Sequence, residues 1–212
     1  ILNERNIDYF NVEKGYFNWW KPKFWRLTFN ENQVTEIKGQ WDNKRFTAFN
    51  MPMRPMKKDG EQVYIVAPSQ NGFDIYDLPI KVDDWIEQTV TEVKKYTDRP
   101  IKIRRKVPKK ARGSRGFCDT LDNIYCVISL HTMAVTEVLR EGIPVISMHP
   151  GVLKNFSSNT ISQINNLYYP SDVERAKLFN CLTNIQFTNQ ELVDGEALET
   201  MCDYYGIKIL PK

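Results

Sequence analysis

The segment at 124–147 constrains the fold more than any other part of the chain. It starts with the apolar run Ile124–Ser129, passes through a short polar turn into a helical pattern, and ends on a second apolar run at 144–148. Gly142 stands where the helical pattern stops. Two buried strands joined by one helix predict parallel neighbours in a sheet, because parallel strands need a crossover connection. We therefore expect a strand–helix–strand unit here.

The rest of the chain extends this unit into an α/β fold. The run at 62–67 is continuously apolar and ends at Pro68, a pattern typical of a parallel strand covered on both faces. From residue 62 onward strands and helices alternate, which predicts a doubly wound, Rossmann-like parallel sheet over residues 61–212. Residues 1–60 form a reduced N-terminal lobe that ends in a proline-rich loop. The other predicted elements are strands over 6–13, 24–29 and 101–105, a loop over 69–74, a helix over 83–96, and two closing helices over 172–183 and 190–205.

Charge is distributed unevenly along the chain. The net charge is only +3, but residues 94–115 contain eleven Lys or Arg against a single acid, Asp98. Such a belt favours a polyanionic partner or a phosphate-bearing ligand. Within it, the tract at 106–115 predicts a loop that attracts nucleic-acid phosphates in a salt-dependent manner. The candidate contacts to a polyanion such as DNA are Lys109, Lys110, Arg112 and Arg115.

Composition narrows the class of protein. No apolar run approaches the ~20 residues of a membrane span, and no secretory signal pattern is present, so we expect a cytoplasmic protein without a membrane span. The four cysteines are widely spaced and form no CxxC pair, which predicts reduced thiols, with Cys126 buried in a strand. Zinc-ligand spacing is absent as well, so we expect no metal site and no cofactor.

The polar turn after the strand at 124–129 is the first candidate site. Ser129, His131 and Thr132 lie where a parallel strand ends and a helix begins, a position that favours a bound anion. Glu137 follows along the helix and is within reach of ribose hydroxyls beside such an anion. A structural interpretation stays open: Ser129 and Thr132 cap the helix, His131 packs against it, and Glu137 is solvated.

A resemblance to a known family is carried by the residues SLHTMAVTE at 129–137 and GIPVI at 142–146. Together they resemble the nucleotide-sugar half of GT-B glycosyltransferases, and above all bacterial capsule and Kdo-type transferases and phage glycosyltransferase-like proteins. The segments QFTNQELVDGEA at 186–197 and VEKGY at 12–16 are similar to stretches of those phage proteins. The chain departs from the family pattern at His131, where the family has serine, and at Val138, where it has alanine.

The resemblance implies roles for these residues. The turn at 129–132 would hold the diphosphate of a nucleotide-sugar donor, Glu137 its ribose, and His131 would donate a hydrogen bond to a phosphate or leaving-group oxygen. Transfer also needs the developing diphosphate charge neutralised. Because the chain has no Asp-x-Asp motif, we expect cationic side chains rather than a metal in that role, with solvated surface charge as the alternative. The candidates are Arg104, Arg105 and Lys106.

Two carboxylates are candidates for the general base that deprotonates the acceptor hydroxyl. Glu13 precedes Gly15 and Tyr16, and Asp74 lies in the predicted loop after the strand at 62–67. Either one serves equally well as a turn-forming residue. The function expected is a metal-independent glycosyltransferase whose acceptor is a modified phage DNA base or a surface glycan. The alternative is a non-catalytic phage protein that binds a nucleotide or nucleic acid.

Overall fold

A computed structural model describes residues 7–17, 23–75, 78–105, 120–130, 132–149 and 151–208. The chain forms two compact units: unit 1 comprises Ile1–Met51 and Asp172–Lys212, and unit 2 comprises Pro52–Ser171. The elements in chain order are β1 (Phe10–Lys14), β2 (Phe24–Phe29), α1 (Lys44–Ala48), β3 (Gln62–Val66), α2 (Gln70–Ile75), α3 (Val82–Val93), β4 (Ile101–Arg104), β5 (Ile124–Ser129), α4 (Ala134–Arg140), β6 (Val145–Ser147), a 3₁₀ helix (Ile161–Asn165), α5 (Asp172–Asn184), β7 (Gln186–Thr188), α6 (Asn189–Val193) and α7 (Glu196–Tyr205).

Unit 2 is built on a four-stranded parallel sheet in the order β4-β3-β5-β6. The central strands β3 and β5 are the most apolar and are buried along almost their whole length, as the sequence predicts for strands covered on both faces. One face, carrying Ile65 and Ile128, packs against α3 and the 3₁₀ helix. Helix α4 packs on β5 and β6 through its own buried residues. The unit is therefore an α/β fold with helices flanking a parallel sheet, compatible with a Rossmann-like fold.

Helix α4 ends at Arg140, and Gly142 follows two residues later, close to where the sequence predicts the end of the helix. Gly142 has φ +78°, a left-handed conformation that glycine adopts without steric cost. The amide of Ile143 donates to the carbonyl of Val138 at 3.2 Å, and the Gly142 amide donates to Leu139 at 3.2 Å, the hydrogen-bond pair of a Schellman motif. A Cβ at Gly142 would lie 1.9 Å from the carbonyl oxygen of Pro55. Only glycine fits where residues 52–60 cross the end of the helix.

Unit 1 contains a three-stranded antiparallel sheet in the order β1-β2-β7. The fully buried side chain of Gln186 extends this pairing, because its amide accepts from the Phe17 amide at 2.8 Å and donates to the Phe17 carbonyl at 3.2 Å. Residues 172–208 therefore belong with the N-terminal strands. The division expected from the sequence, at residue 60 with closing helices on the parallel sheet, differs from this arrangement because β7 pairs with β2.

The C-terminal helical region differs from the single helix predicted over 190–205. It consists of α6 and α7, and Gly195, with φ +87°, stands between them. A capping box opens α6: Thr188 accepts from the Glu191 amide at 3.3 Å, and the Glu191 carboxylate accepts from the Thr188 amide at 2.6 Å. Burial raises the pKa of Glu191, but its ion pair with Arg45 and its bonds to Thr188 outweigh this and lower it.

Two further expectations can be compared with the structure. The predicted loop over 69–74 is wrong in part, because residues 70–75 form α2, whose Phe73 is fully buried against Trp85. Cys126, Cys181 and Cys202 are free and buried, and burial raises the pKa of Cys126 and of Cys181 to about 12.

Across the described ranges, no helix has both the length and the apolar character needed to cross a bilayer.

Candidate functional site

The order in which the chain adds strands reverses within the parallel sheet, which makes a topological switch point. From β3 the chain passes to β4 on one side, and then returns to β5 on the other side of β3. Residues after β3 lead into α2 and α3, whereas residues after β5 lead into α4. In open parallel sheets, ligands bind at the carboxyl ends of the two strands that flank such a switch point. In this sheet the two strands that flank the switch point are β3 and β5.

The register of the sheet aligns four residues along this edge. Arg104 pairs with Val66, Val66 with Ser129, and Ser129 with Ser147. We call these four residues the edge row. Paired residues of parallel strands point to the same face, so Arg104 and Ser129 share a face and are separated by two strand spacings, roughly 10 Å. The structure thus brings together two of the residues that the sequence places at the donor site.

The hydroxyls of the polar turn have partners in the fold. Ser129 is fully buried, and its Oγ donates to the Val66 carbonyl at 3.1 Å. Thr132 Oγ1 accepts from the Ala134 amide at 3.4 Å, a weak contact at the start of α4. The capping interpretation is therefore wrong for Ser129, which bonds to the neighbouring strand, and Met133 is the N-cap residue of α4, without a side-chain cap hydrogen bond. The Ser129 hydroxyl joins the two strands that flank the switch point.

Glu137 and Arg104 stand at the same end of the sheet. Glu137 lies in the first turn of α4 and is half-buried, and Arg104 is the last residue of β4 and is also half-buried. Each interacts with another group of the protein. Their positions suit a ligand that lies along the edge from β4 to α4, with its anionic part near Arg104.

Arg105, the residue after β4, forms an ion pair with a residue of α3. Its guanidinium forms an ion pair with the Asp83 carboxylate in the first turn of α3. Both side chains are more than half exposed, and an exposed ion pair contributes little to stability. A phosphate arriving at this edge can therefore replace Asp83 as the partner of Arg105 without a large loss of folding free energy.

The two candidate bases lie in different units. Asp74, in α2 of unit 2, is exposed and accepts from the Gln70 side-chain amide at 3.0 Å. Glu13, in β1 of unit 1, stands opposite Arg26 in the neighbouring strand and forms an ion pair with it. Arg26 is 4% exposed, so its charge depends on that carboxylate for compensation. Glu13 thus compensates the charge of a buried arginine in unit 1.

Several candidates fall outside the described residues. These are His131, Lys106, Lys109, Lys110, Arg112 and Arg115. Among the residues that are described, no group of three or more His, Cys, Asp or Glu side chains is arranged to hold a metal ion.

Sequence reasoning did not identify Ser147 or Asp83. Ser147 occupies the same position at the end of β6 as Ser129 at the end of β5, and its amide donates to the Ser158 carbonyl at 2.8 Å. The shared ending, an apolar strand closing on serine, is a signal that the sequence does contain. The Asp83 contact has no such signal, because it depends on how α3 packs over the sheet.

Comparisons with known proteins add nothing to this geometry. No protein-family model matches the chain, and no curated protein or solved structure shows a significant match. The chemistry of the site is therefore inferred from its own residues and from the register of the sheet.

Proposed function

We propose that the protein binds a nucleotide sugar at the carboxyl edge of its parallel sheet and transfers the sugar to an acceptor hydroxyl. The observation that carries this proposal is the switch point between β3 and β5, with Arg104 and Ser129 in the same edge row. The resemblance of residues 129–146 to the nucleotide-sugar half of GT-B glycosyltransferases supports the identity of the ligand. The acceptor is a hydroxyl of a modified DNA base or of a surface glycan.

In this proposal the cationic end of β4 stabilises the leaving diphosphate. Negative charge grows on the phosphate oxygens as the bond to the sugar breaks, and fixed positive charge at that place lowers the barrier. Arg104 lies in the edge row, and Arg105 joins it by exchanging Asp83 for phosphate. Glu137 accepts hydrogen bonds from the donor ribose, and His131 donates one to the leaving oxygen.

The acceptor hydroxyl must lose its proton as its oxygen bonds to the sugar carbon. Asp74 is the better of the two candidate bases, because it is exposed and belongs to the unit that carries the switch point. Glu13 already compensates the buried charge of Arg26. An Asp74→Asn variant should therefore keep donor binding and lose transfer.

Thermal unfolding in the presence of UDP-, GDP-, CMP- and dTDP-sugars tests the donor. A ligand at one hundred times its Kd stabilises the folded state by about 2.7 kcal/mol, which is a shift of several degrees in Tm. An Arg104→Gln variant should lose this shift. Lys102→Gln is the matched control, because Lys102 lies two positions earlier on the same strand and face, away from the edge. If no nucleotide sugar shifts the Tm or is turned over by intact protein, the proposal is rejected.

A non-catalytic nucleotide-binding protein is the second candidate. The observation that favours it is that both candidate bases already have partners: Glu13 pairs with Arg26, and Asp74 accepts a hydrogen bond from Gln70. This alternative expects one nucleotide to shift the Tm in an Arg104-dependent manner, with no release of free sugar or transfer to any acceptor. Product analysis by mass spectrometry separates the two functions.

A further inference from the structure

A second site of a different kind lies at the opposite edge of the parallel sheet. Residues 52–60, which we call the strap, have no assigned secondary structure and lie just before β3. The Arg54 amide donates to the Arg140 carbonyl at 2.8 Å, and the Lys57 amide donates to the Gly142 carbonyl at 2.6 Å. At its end, Gly60 packs so closely on Ile124 that a Cβ would lie 2.2 Å from the Ile124 carbonyl. The strap is thus fixed along the amino ends of β3 and β5.

The strap forms one wall of a groove with a volume of about 800 Å³. Residues 54–59 and Glu141 line it. Arg54, Lys57 and Lys58 contribute positive charge, against the carboxylates of Asp59 and Glu141. Arg140 forms an ion pair with Glu141 at 2.5 Å, which neutralises one of those carboxylates. The groove therefore carries an excess of positive charge.

The strap also contributes apolar surface to the groove. Pro55 and Met56 provide an apolar surface between the cations. The Lys58 ammonium lies 5.3 Å from the centre of the Tyr169 ring, a cation–π contact that holds it at the rim. Lys57 and Lys58 are exposed, and lysine binds phosphate as a point charge that tolerates different backbone geometries.

We propose that this groove binds the phosphate backbone of a single-stranded nucleic acid. A volume of this size is in the range of sites that hold small ligands, so it admits a few nucleotides of one strand rather than a duplex. A positively charged groove that follows the phosphate backbone is a feature of proteins that bind single strands without sequence preference. The groove is distinct from the carboxyl-edge site, because the five residues of β3 separate the two edges by roughly 16 Å. The proposal does not rest on the nucleotide-sugar function.

Fluorescence anisotropy with labelled oligothymidylate and oligouridylate, titrated over a range of salt concentrations, tests the site. The test variant is Lys57→Gln/Lys58→Gln. The matched control is Lys81→Gln/Lys154→Gln, which removes the same charge from exposed positions of unit 2 away from the strap. Each phosphate contact to a single strand contributes about 0.7 to the slope of log affinity against log salt, so the test variant should lose about 1.4 of slope and about 25-fold in affinity at 0.1 M salt.

Two further variants make the result decisive. Lys57→Arg/Lys58→Arg keeps the charge and should retain affinity, which separates a charge effect from a disturbed strap. Lys109→Gln/Lys110→Gln/Arg112→Gln reports how much affinity the basic tract contributes on its own. Equal Tm values for test and control variants show that both are folded. The proposal is overturned if the protein binds neither oligonucleotide, if the test and control variants lose the same affinity, or if the basic-tract variant abolishes binding while the test variant leaves it unchanged.

Discussion

Replacing Gly142 with alanine should destabilise unit 2 by an amount that can be worked out from two separate causes. Gly142 has φ +78°, and an L-residue in this conformation costs about 1–2 kcal/mol, partly offset by about 0.4–1 kcal/mol from the reduced entropy of the unfolded chain. The new Cβ would also lie 1.9 Å from the Pro55 carbonyl oxygen, so the strap must move away. That movement breaks the two hydrogen bonds from the Arg54 and Lys57 amides, at about 1 kcal/mol each. The expected total is about 3 kcal/mol.

Gly206→Ala is the matched control for this prediction. Gly206 also has positive φ, +71°, but a Cβ there meets no atom within 4 Å, so only the conformational cost of about 1 kcal/mol applies. Hydrogen–deuterium exchange in increasing urea, read by mass spectrometry, gives the stability of each unit from peptides of β5 and of β2. The Arg54 and Lys57 amides should lose protection in the Gly142 variant. If Gly142→Ala costs unit 2 no more than Gly206→Ala costs unit 1, the strap is not bound to the end of α4 as described.

Three further outcomes are expected. Gln186→Ala should destabilise unit 1 by about 2–4 kcal/mol in a urea titration, because it leaves the buried backbone N–H and C=O of Phe17 without partners. The control variant Gln190→Ala, at an exposed position, should change the stability little. Glu191→Gln should lower the urea midpoint at neutral pH, because the pKa of Glu191 is lowered in the folded state and the ionised carboxylate therefore stabilises it. The difference from wild type should shrink as the pH falls below the ordinary carboxyl pKa of about 4.3 and vanish below the lowered pKa of the folded state; a difference that does not shrink on acidification contradicts the charge effect. Cys126 and Cys181, with pKa values near 12, should have a thiolate fraction of ~10⁻⁴ at pH 8, so a disulfide reagent should label them only on unfolding. Peptide mapping separates them from the other two cysteines, and rapid labelling of the native protein at Cys126 or Cys181 would refute their burial.

Elements whose signal is local could be predicted from the sequence. The strands β3 and β5 are continuous apolar runs, and α4 ends two residues before a glycine, so their positions follow from neighbouring residues alone. Strand β7 could not be predicted, because three residues carry no periodicity and its partner β2 is remote in sequence. Helix α2 was missed for a related reason: Asn71 and Gly72 favour a turn, but the burial of Phe73 against Trp85 outweighs that preference.

In the candidate site, the positions of residues could be predicted from the sequence, but their contacts could not. The sequence placed Ser129 and Arg104 at the ends of strands, and parallel strands bring such ends to one edge. It left open what the Ser129 hydroxyl binds, since the Val66 carbonyl becomes its partner only through the register of β3 with β5. The ion pair of Arg105 with Asp83 likewise depends on the packing of α3, which no local pattern specifies.

The pairing of β2 with β7 has a consequence for the order in which the protein matures on the ribosome. All four strands of the parallel sheet have been synthesised once Ser147 has emerged, whereas the Phe17 backbone must wait for Gln186, 169 positions later. Contacts of such sequence separation form slowly, and an unpaired β2 edge is open to association with other chains in the meantime. Unit 1 therefore closes only after Gln186 has been synthesised, and a chain that stops before residue 186 leaves β2 without its second neighbour.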